Sequence, residues 1–253
     1  MSIWAAAAVT AAGLAAGFAN VIVGAGSLIT FPTLVALGYP PVLANMSNTV
    51  GLVPGSVSGA VAYRRELAGQ ARRVVLLSSA TLAGGVTGGA LLLVLPPGVF
   101  QAAVPVLIAG AAALMAVQPR VSDLLARRGR SGGGHGGPLL AGGVVLTGIY
   151  GGYFGAAQGV ILLALLATFL ADDLQRLNAT KNVLAAMANL VSGLLFVVAG
   201  HVDWTLAGLI AAGSVVGGQV GATVGRRLPP RVLRGVVVVG GTGVAVLLAV
   251  RWW

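Results

Sequence analysis

The chain has 253 residues, of which 57% are hydrophobic and only 8% are charged, whereas an ordinary soluble domain has roughly 25% charged residues. Apolar runs of about 20 residues recur along the chain, and each is long enough to cross a hydrocarbon core of about 30 Å. The composition therefore predicts an all-α polytopic membrane protein. The absence of cysteine excludes thiol redox chemistry, iron–sulfur clusters and cysteine zinc sites. The net charge of +10 comes from arginines in short loops, which is the positive-inside pattern rather than a nucleic-acid surface.

The first half of the chain begins with an interrupted apolar segment. The first residues lack the basic region of a signal peptide, so we expect a membrane helix at the start. Glycine-rich interruptions and proline turns delimit the elements that follow, and four arginines mark one loop as cytoplasmic. The predicted elements are a helix at 5–23, a break at 24–27, a shorter helix at 28–37, a span at 42–62, the arginine-rich loop at 64–73, and spans at 74–95 and 99–117.

The second half repeats this order after a polar linker. We expect residues 119–137, which are rich in arginine and glycine, to form a flexible cytoplasmic linker. His135 within it is expected to be exposed rather than a metal ligand, because a metal site needs several donors. Asp172, Asp173 and Asp203 lie at predicted turns and are expected to be solvated. The remaining predicted elements are an apolar segment at 139–170 that is broken near 155–159, and spans at 178–199, 205–224 and 232–250.

A shift of 133 residues aligns the two halves of the chain. Several matches in the same order indicate an internal duplication. We therefore divide the chain into a first membrane repeat at 1–118, the linker at 119–137 and a second membrane repeat at 138–253. The matched pairs are Asn45 with Asn178, Ser47 with Thr180, Gly84 with Gly217, Pro96 with Pro229 and, at a shift of 131, Gly17 with Gly148 and Gly24 with Gly155.

The charges of corresponding loops are exchanged between the two repeats. The loop at 64–73 holds four arginines, whereas its counterpart at 200–204 has none; the Pro-Pro loop is uncharged in the first repeat and is surrounded by four arginines in the second. By the positive-inside rule, the repeats have inverted topology in the membrane. Each repeat is then a broken helical pair followed by about three transmembrane helices. The parity of the crossings implies that each broken pair is re-entrant, entering and leaving on one side.

The breaks and the polar residues near them predict a site for a small anion. Inverted repeats with broken helices are typical of transporters, and an interrupted helix offers free N–H groups and a partial positive charge. Lys181 is the only lysine and begins a long apolar run, where an ammonium group is costly and usually functional. The predicted substrate-binding residues are neutral donors around this cation: Gly24, Gly26, Ser27, Asn45, Ser47, Asn48, Gly155, Gln158, Asn178, Thr180, Lys181 and Asn182.

Alternative interpretations of these residues remain open. Lys181 could be a helix-end lysine that extends its ammonium group to the lipid headgroups, and the glycines could serve close helix packing alone. The sequence contains no nucleophile–base pair, no metal-ligand cluster and no evident buried acid for a proton relay. We therefore expect no catalytic residue, metal or cofactor. The predicted function is a carrier of small anions, with a carboxylate carrier or a non-transporting membrane scaffold as alternatives.

Several strings, taken in order, resemble those of a known family. They are the glycine-rich break followed by Pro32, an alanine-led polar stretch at 44–49, Tyr-Arg-Arg at 63–65, and the strings at 148–155, 178–182 and 200–204. Their order and spacing are similar to those of the TauE/SafE sulfite exporter family. The resemblance implies a multi-pass plasma-membrane permease that exports sulfite or an organosulfonate as a homo-oligomer, such as a homodimer. Ser27, Leu28 and Asn48 depart from the family pattern, which leaves open a related anion as substrate.

Overall fold

The computed structural model describes residues 1–127 and 137–224, and these residues contain helices and no strand. The expected span at 232–250, the proline pair at 229–230 and His135 lie outside the described residues, as does part of the expected linker. The helices in the described ranges are α1 (Ile3–Ile22), α2 (Ser27–Ala36), α3 (Pro41–Ala62), α4 (Ala71–Val94), α5 (Pro97–Arg127), α6 (Gly137–Tyr153), α7 (Gln158–Phe169), α8 (Leu174–Ala199) and α9 (Trp204–Val224).

Both predicted breaks are present and separate a longer helix from a shorter one. Between α1 and α2, Gly24 adopts a φ of +83°, a left-handed conformation that glycine reaches without a steric penalty. Between α6 and α7, Gly155 has a φ of +77° and Ala157 a φ of +58°. The backbone reverses at the first break, because Gly26 lies against Ala16 and Asn20 of α1. Helices α1 and α2 therefore form a hairpin.

Glycines bring the first helix of each half against the fourth helix of the other half. A Cβ atom at Gly17 of α1 would lie 2.2 Å from the carbonyl oxygen of Ser214 in α9, and a Cβ at Gly88 of α4 would lie 2.0 Å from that of Ile149 in α6. Small residues allow this close approach of membrane helices. Glycines of α4 and α9 therefore serve close helix packing.

The register of these contacts gives the direction of each helix. Helices α1, α3 and α9 run in one direction, and α4, α6 and α8 run in the other. The contacts that establish this are Gly13–Ile210 and Gly221–Phe18 between α1 and α9, Gly51–Ile210 and Gly55–Ser214 between α3 and α9, Gly84–Val145 and Gly88–Ile149 between α4 and α6, Gly85–Ala188 and Gly89–Ser192 between α4 and α8, and Gly193–Val50 and Asn189–Ser56 between α8 and α3.

Among the described residues, five helical stretches are long and apolar enough to cross a membrane, namely α1, α4, the first part of α5, α8 and α9. Helix α3 has 22 residues, but its buried side includes polar residues such as Asn45 and Asn48. Helix α5 continues to Arg127, so the chain is helical beyond the expected end of the first repeat at 118.

We call the end of the bundle with the α3–α4 loop and the α7–α8 turn the basic face, and the other end the opposite face.

Candidate functional site

The two helix breaks touch each other inside the bundle. The backbone N–H of Gly159, in the first turn of α7, donates a hydrogen bond to the carbonyl oxygen of Gly24 at 3.0 Å. A Cβ atom at Gly24 would lie 2.3 Å from the Cα of Gly159, so a side chain at this position would separate the two segments. The interruptions from the two halves thus form one continuous region.

Lys181 lies beside the first break and is fully buried, with 0% of its surface exposed. Its Nζ donates hydrogen bonds to the carbonyl oxygens of Asn20 at 3.2 Å and Val21 at 3.1 Å. These carbonyls belong to the last turn of α1, where helical acceptors lack partners and carry partial negative charge. Because the ammonium group is enclosed by protein, the interpretation of Lys181 as a lysine that extends to the headgroups is wrong.

No carboxylate compensates the charge of Lys181 in the described part of the chain. The ion pairs there join Arg73 and Arg176 to Asp172. An ammonium group has three donors, and the two α1 carbonyls occupy two of them. Burying a cation without a counter-ion has a large unfavourable desolvation free energy, and an anion bound at this location would reduce it.

Asn45 and Asn178, which match in the sequence alignment of the halves, have matching roles. Each caps the C-terminal end of the first helix in the other half. The Asn45 Nδ2 donates to the carbonyl oxygen of Tyr153 at 3.0 Å, and the Asn178 Nδ2 donates to that of Val21 at 3.3 Å. Their Oδ1 atoms are buried and have no hydrogen-bond partner in the part of the chain that the structure describes. The two predicted site residues are therefore brought to the ends of the broken helices.

Asn48 takes the position that matches Lys181 but binds the break of its own half. Its Oδ1 accepts a short hydrogen bond from the Thr30 hydroxyl, and its Nδ2 donates to the Ser27 Oγ at 3.2 Å. These bonds hold the first turn of α2. Gly26 packs closely against α1, where a Cβ would lie 2.6 Å from the Ala16 oxygen, so its contribution in this conformation is close packing.

Two predicted donors are buried and unsatisfied. The amide nitrogens of Gln158, which begins α7, and of Asn182, which follows Lys181, have no hydrogen-bond partner within the described residues. The side chains are 3% and 5% exposed. The Gln158 amide lies over Gly151, where a Cβ would approach its carbon to 2.3 Å. An unsatisfied buried donor is unfavourable, so both amides have hydrogen-bonding capacity left for a ligand.

Ser47 and Thr180 also occupy matching positions, and each contacts a loop of the other half. The Thr180 Oγ1 lies 3.1 Å from the Gln70 Oε1 at the basic face. The Ser47 Oγ accepts a hydrogen bond from the Asp203 backbone N–H at 2.9 Å at the opposite face. In this conformation both hydroxyl groups hold loops instead of joining the residues around Lys181.

The three aspartates at the predicted turns are not buried, as expected of solvated groups, but each also makes specific hydrogen bonds. Asp172 accepts hydrogen bonds from the Arg73 Nη1 and the Arg176 Nε, each at 2.8 Å. We call these three residues the basic-face clasp, because they join α4 of the first half to the α7–α8 turn of the second. Asp173 and Asp203 instead cap helices, since their carboxylates accept from backbone N–H groups at the starts of α8 and α9.

Two groups of residues were not predicted as site residues. Asn20, Ser56 and Asn189, which we call the central triad, are joined by hydrogen bonds from both amides to the Ser56 Oγ at 3.1 and 3.0 Å. The repeat alignment offered a signal, because Ser56 and Asn189 are 133 positions apart. The second group is a cluster of aromatic rings in edge-to-face contact beside the second break: Phe31, Phe100, Phe154, Tyr150 and Tyr153.

Irregular backbone within an apolar helical bundle is tolerated where protein covers it or water fills a cavity, and transporters use such breaks for binding. The architecture is thus that of a multi-pass membrane transporter. The chain belongs to the sulfite exporter TauE/SafE family, because the family model matches residues 9–248. It is therefore a membrane transporter of this family.

Similar proteins carry the name probable membrane transporter protein. One from Haemophilus influenzae is 27% identical over 212 residues, which cover 83% of this chain and 81% of that protein. One from Escherichia coli K12, YfcA, is 28% identical over 230 residues, covering 88% and 82%. One from a Sinorhizobium species, ORF9, is 25% identical over 238 residues, covering 93% and 87%. No solved structure shows a significant match.

Proposed function

We propose that this protein exports a small sulfur-containing anion, sulfite or an organosulfonate, across the plasma membrane. The observation that carries the proposal is the buried ammonium of Lys181, which has no carboxylate partner within the described ranges. It lies beside two touching helix breaks and is followed in α8 by the unsatisfied amide of Asn182. A bound anion would supply the missing charge and accept the free donors.

We further propose that the halves are inverted-topology repeats. In support, matching helices run in opposite directions: α1 against α6, α3 against α8, and α4 against α9. Matching residues also make matching contacts, since Gly17 meets Ser214 while Gly148 meets Thr81. In transporters of this kind the substrate binds between the repeats near the bilayer midplane, and we propose that the two touching helix breaks form this binding region.

The membrane potential is a sufficient driving force for this export. An inside-negative potential expels anions, with about 2.3 kcal/mol per elementary charge per 100 mV. The site has one cation and several neutral donors, and no acidic side chain within hydrogen-bonding distance of Lys181 among the described residues. We therefore propose electrogenic export without a coupled proton.

The proposal is tested by flux measurements in proteoliposomes. Purified full-length protein is reconstituted, and uptake of radiolabelled sulfite, sulfate, thiosulfate, taurine and acetate is followed with and without an imposed potassium diffusion potential. We expect sulfite or a sulfonate to move faster than acetate, and its rate to follow the sign of the potential. Faster acetate movement would identify a carboxylate carrier. If no anion moves and none raises the melting temperature, the transporter proposal fails and a scaffold role gains support.

A further inference from the structure

The central triad connects the buried lysine to the interface between the two halves. The Asn20 carbonyl oxygen accepts from Lys181, while the Asn20 Nδ2 donates to the Ser56 Oγ. The Asn189 Nδ2 donates to the same oxygen from the other side. A hydrogen-bonded chain thus leads from Lys181 through α1 and α3 to α8.

The position of the triad is special because Ser56 and Asn189 are matching residues of the two halves. Matching residues can contact each other only near the axis that relates the halves, and the Asn189–Ser56 hydrogen bond of 3.0 Å is such a contact. A site on this axis is shared equally by both halves. When the halves move against each other, it stays in place while access changes sides.

The triad has donors left over for a ligand. Both amides donate to the Ser56 oxygen, so the Ser56 hydroxyl hydrogen must point elsewhere, and these two bonds use one N–H of each amide. Ser56 is 5% exposed, whereas Asn20 and Asn189 are only partly buried although they lie inside apolar helices. The partial exposure of these two side chains leaves their amides accessible to a ligand.

We propose that the central triad is a binding station that selects anions with an SO3 face. Three donors on three helices, the amides of Asn20 and Asn189 and the hydroxyl of Ser56, match the three oxygens of a sulfite or sulfonate better than the two oxygens of a planar carboxylate. Lys181, whose Nζ donates to the Asn20 carbonyl oxygen, supplies the positive charge. This inference rests on the proposed function and assigns its selectivity to residues outside the helix breaks.

The test compares ligand affinities of the full-length protein in detergent. Dissociation constants for freshly prepared sulfite, methanesulfonate and acetate are measured by calorimetry and by the rise in melting temperature. For Ser56→Ala and Asn189→Ala we expect sulfite and methanesulfonate binding to weaken about tenfold or more, the loss that follows removal of a hydrogen bond to a charged group. Acetate binding should change less, so the preference for sulfite over acetate should fall.

Ser58→Ala is the matched control, because Ser58 accepts an amide hydrogen bond from Gln219 at 2.6 Å at an exposed α3–α9 contact. It should leave all three affinities unchanged. If wild-type protein binds sulfite but Ser56→Ala and Asn189→Ala bind it equally well, the triad inference is overturned while the proposed function stands. If wild-type protein binds no anion, the proposed function itself fails. Should the alanine variants not fold, an unchanged sulfite-to-acetate preference in Ser56→Cys and Asn189→Leu overturns the inference, because a thiol is a weak donor and the leucine side chain has none.

Discussion

Under the proposed function, Lys181 has two roles. Its hydrogen bonds to the Asn20 and Val21 carbonyls cap the interrupted helix α1, and its positive charge faces a region without a described carboxylate partner. Asn178 supports the same cap through Val21. The cap explains how the ammonium is tolerated in the bundle, since the C-terminal carbonyls of a helix carry partial negative charge. The remaining charge explains why an anion would be attracted.

Replacing Lys181 by methionine removes the cap and the charge together, and two measurements distinguish their effects. Methionine fills a similar volume without charge or donors, so the α1 carbonyls lose two partners and we expect the free energy of unfolding to fall by about 1–3 kcal/mol. Sulfite should then no longer raise the melting temperature, whereas it should stabilise the wild-type protein by about 2.7 kcal/mol at a concentration of 100 Kd. Thermal unfolding with and without sulfite measures both effects.

Arg65→Met is the matched control, because Arg65 is an exposed cation in the α3–α4 loop. It should retain the stabilisation by sulfite. A Lys181→Met protein that sulfite stabilises as strongly as wild type would show that Lys181 only caps α1.

The elements are held together by two kinds of contact between the halves. Glycine-lined helix contacts bury the interior, while polar contacts fasten loops at each end. At the basic face, Arg73 and Arg176 both bind Asp172, and at the opposite face Ser47 accepts from the Asp203 backbone. In this conformation the polar contacts between the halves are therefore stronger at the basic face than at the opposite face, because charge-assisted hydrogen bonds are stronger than neutral ones.

The stability contributed by the basic-face clasp should depend on pH. Burial of Asp172 favours its neutral form, but hydrogen bonds from Arg73, the Asp173 backbone and Arg176 together lower the pKa of Asp172 below its ordinary value of 3.8. A lowered folded-state pKa gives stability that is complete above the ordinary value and is lost as the pH falls through the lowered one. The difference in melting temperature between wild type and Asp172→Asn should therefore be constant from about pH 8 to pH 5.

Below about pH 4 this difference should shrink, because the wild-type carboxylate then becomes protonated and resembles the amide. Other acidic groups are common to both proteins, so the comparison removes their contribution. Asp173→Asn is a control that retains the clasp. A wild-type advantage over Asp172→Asn that stays undiminished at the lowest pH at which both proteins fold would contradict the assignment of the clasp.

For the whole molecule, the features predicted from the sequence are those with a local signature or an internal copy. Glycine marks both breaks, because left-handed backbone at Gly24 and Gly155 favours that residue. The alignment of the halves identified Asn45 and Asn178 as residues at equivalent positions. Contacts between residues distant in the chain were not predictable. The bonds Asn45–Tyr153 and Lys181–Asn20 join residues 108 and 161 positions apart, and they depend on how the helices pack.

The proposed inverted arrangement makes a definite prediction about two loops of the whole molecule. Arg65 in the α3–α4 loop and His201 in the α8–α9 loop are both exposed and lie at opposite ends of the bundle. By the positive-inside rule we expect the Arg65 end to be cytoplasmic. Because the chain has no cysteine, Arg65→Cys and His201→Cys give proteins with a single labelling site and no background.

A membrane-impermeant maleimide applied to intact bacterial cells should label His201→Cys and leave Arg65→Cys unlabelled, and permeabilisation should then make Arg65→Cys reactive. The unmodified chain is the control for non-specific labelling. Labelling of both variants in intact cells would place both loops outside and contradict the arrangement. Labelling of Arg65→Cys alone would show that the protein has the opposite orientation in the membrane. The membrane potential would still drive anions outward through the protein, because it acts on the charge of the anion whatever the orientation of the protein.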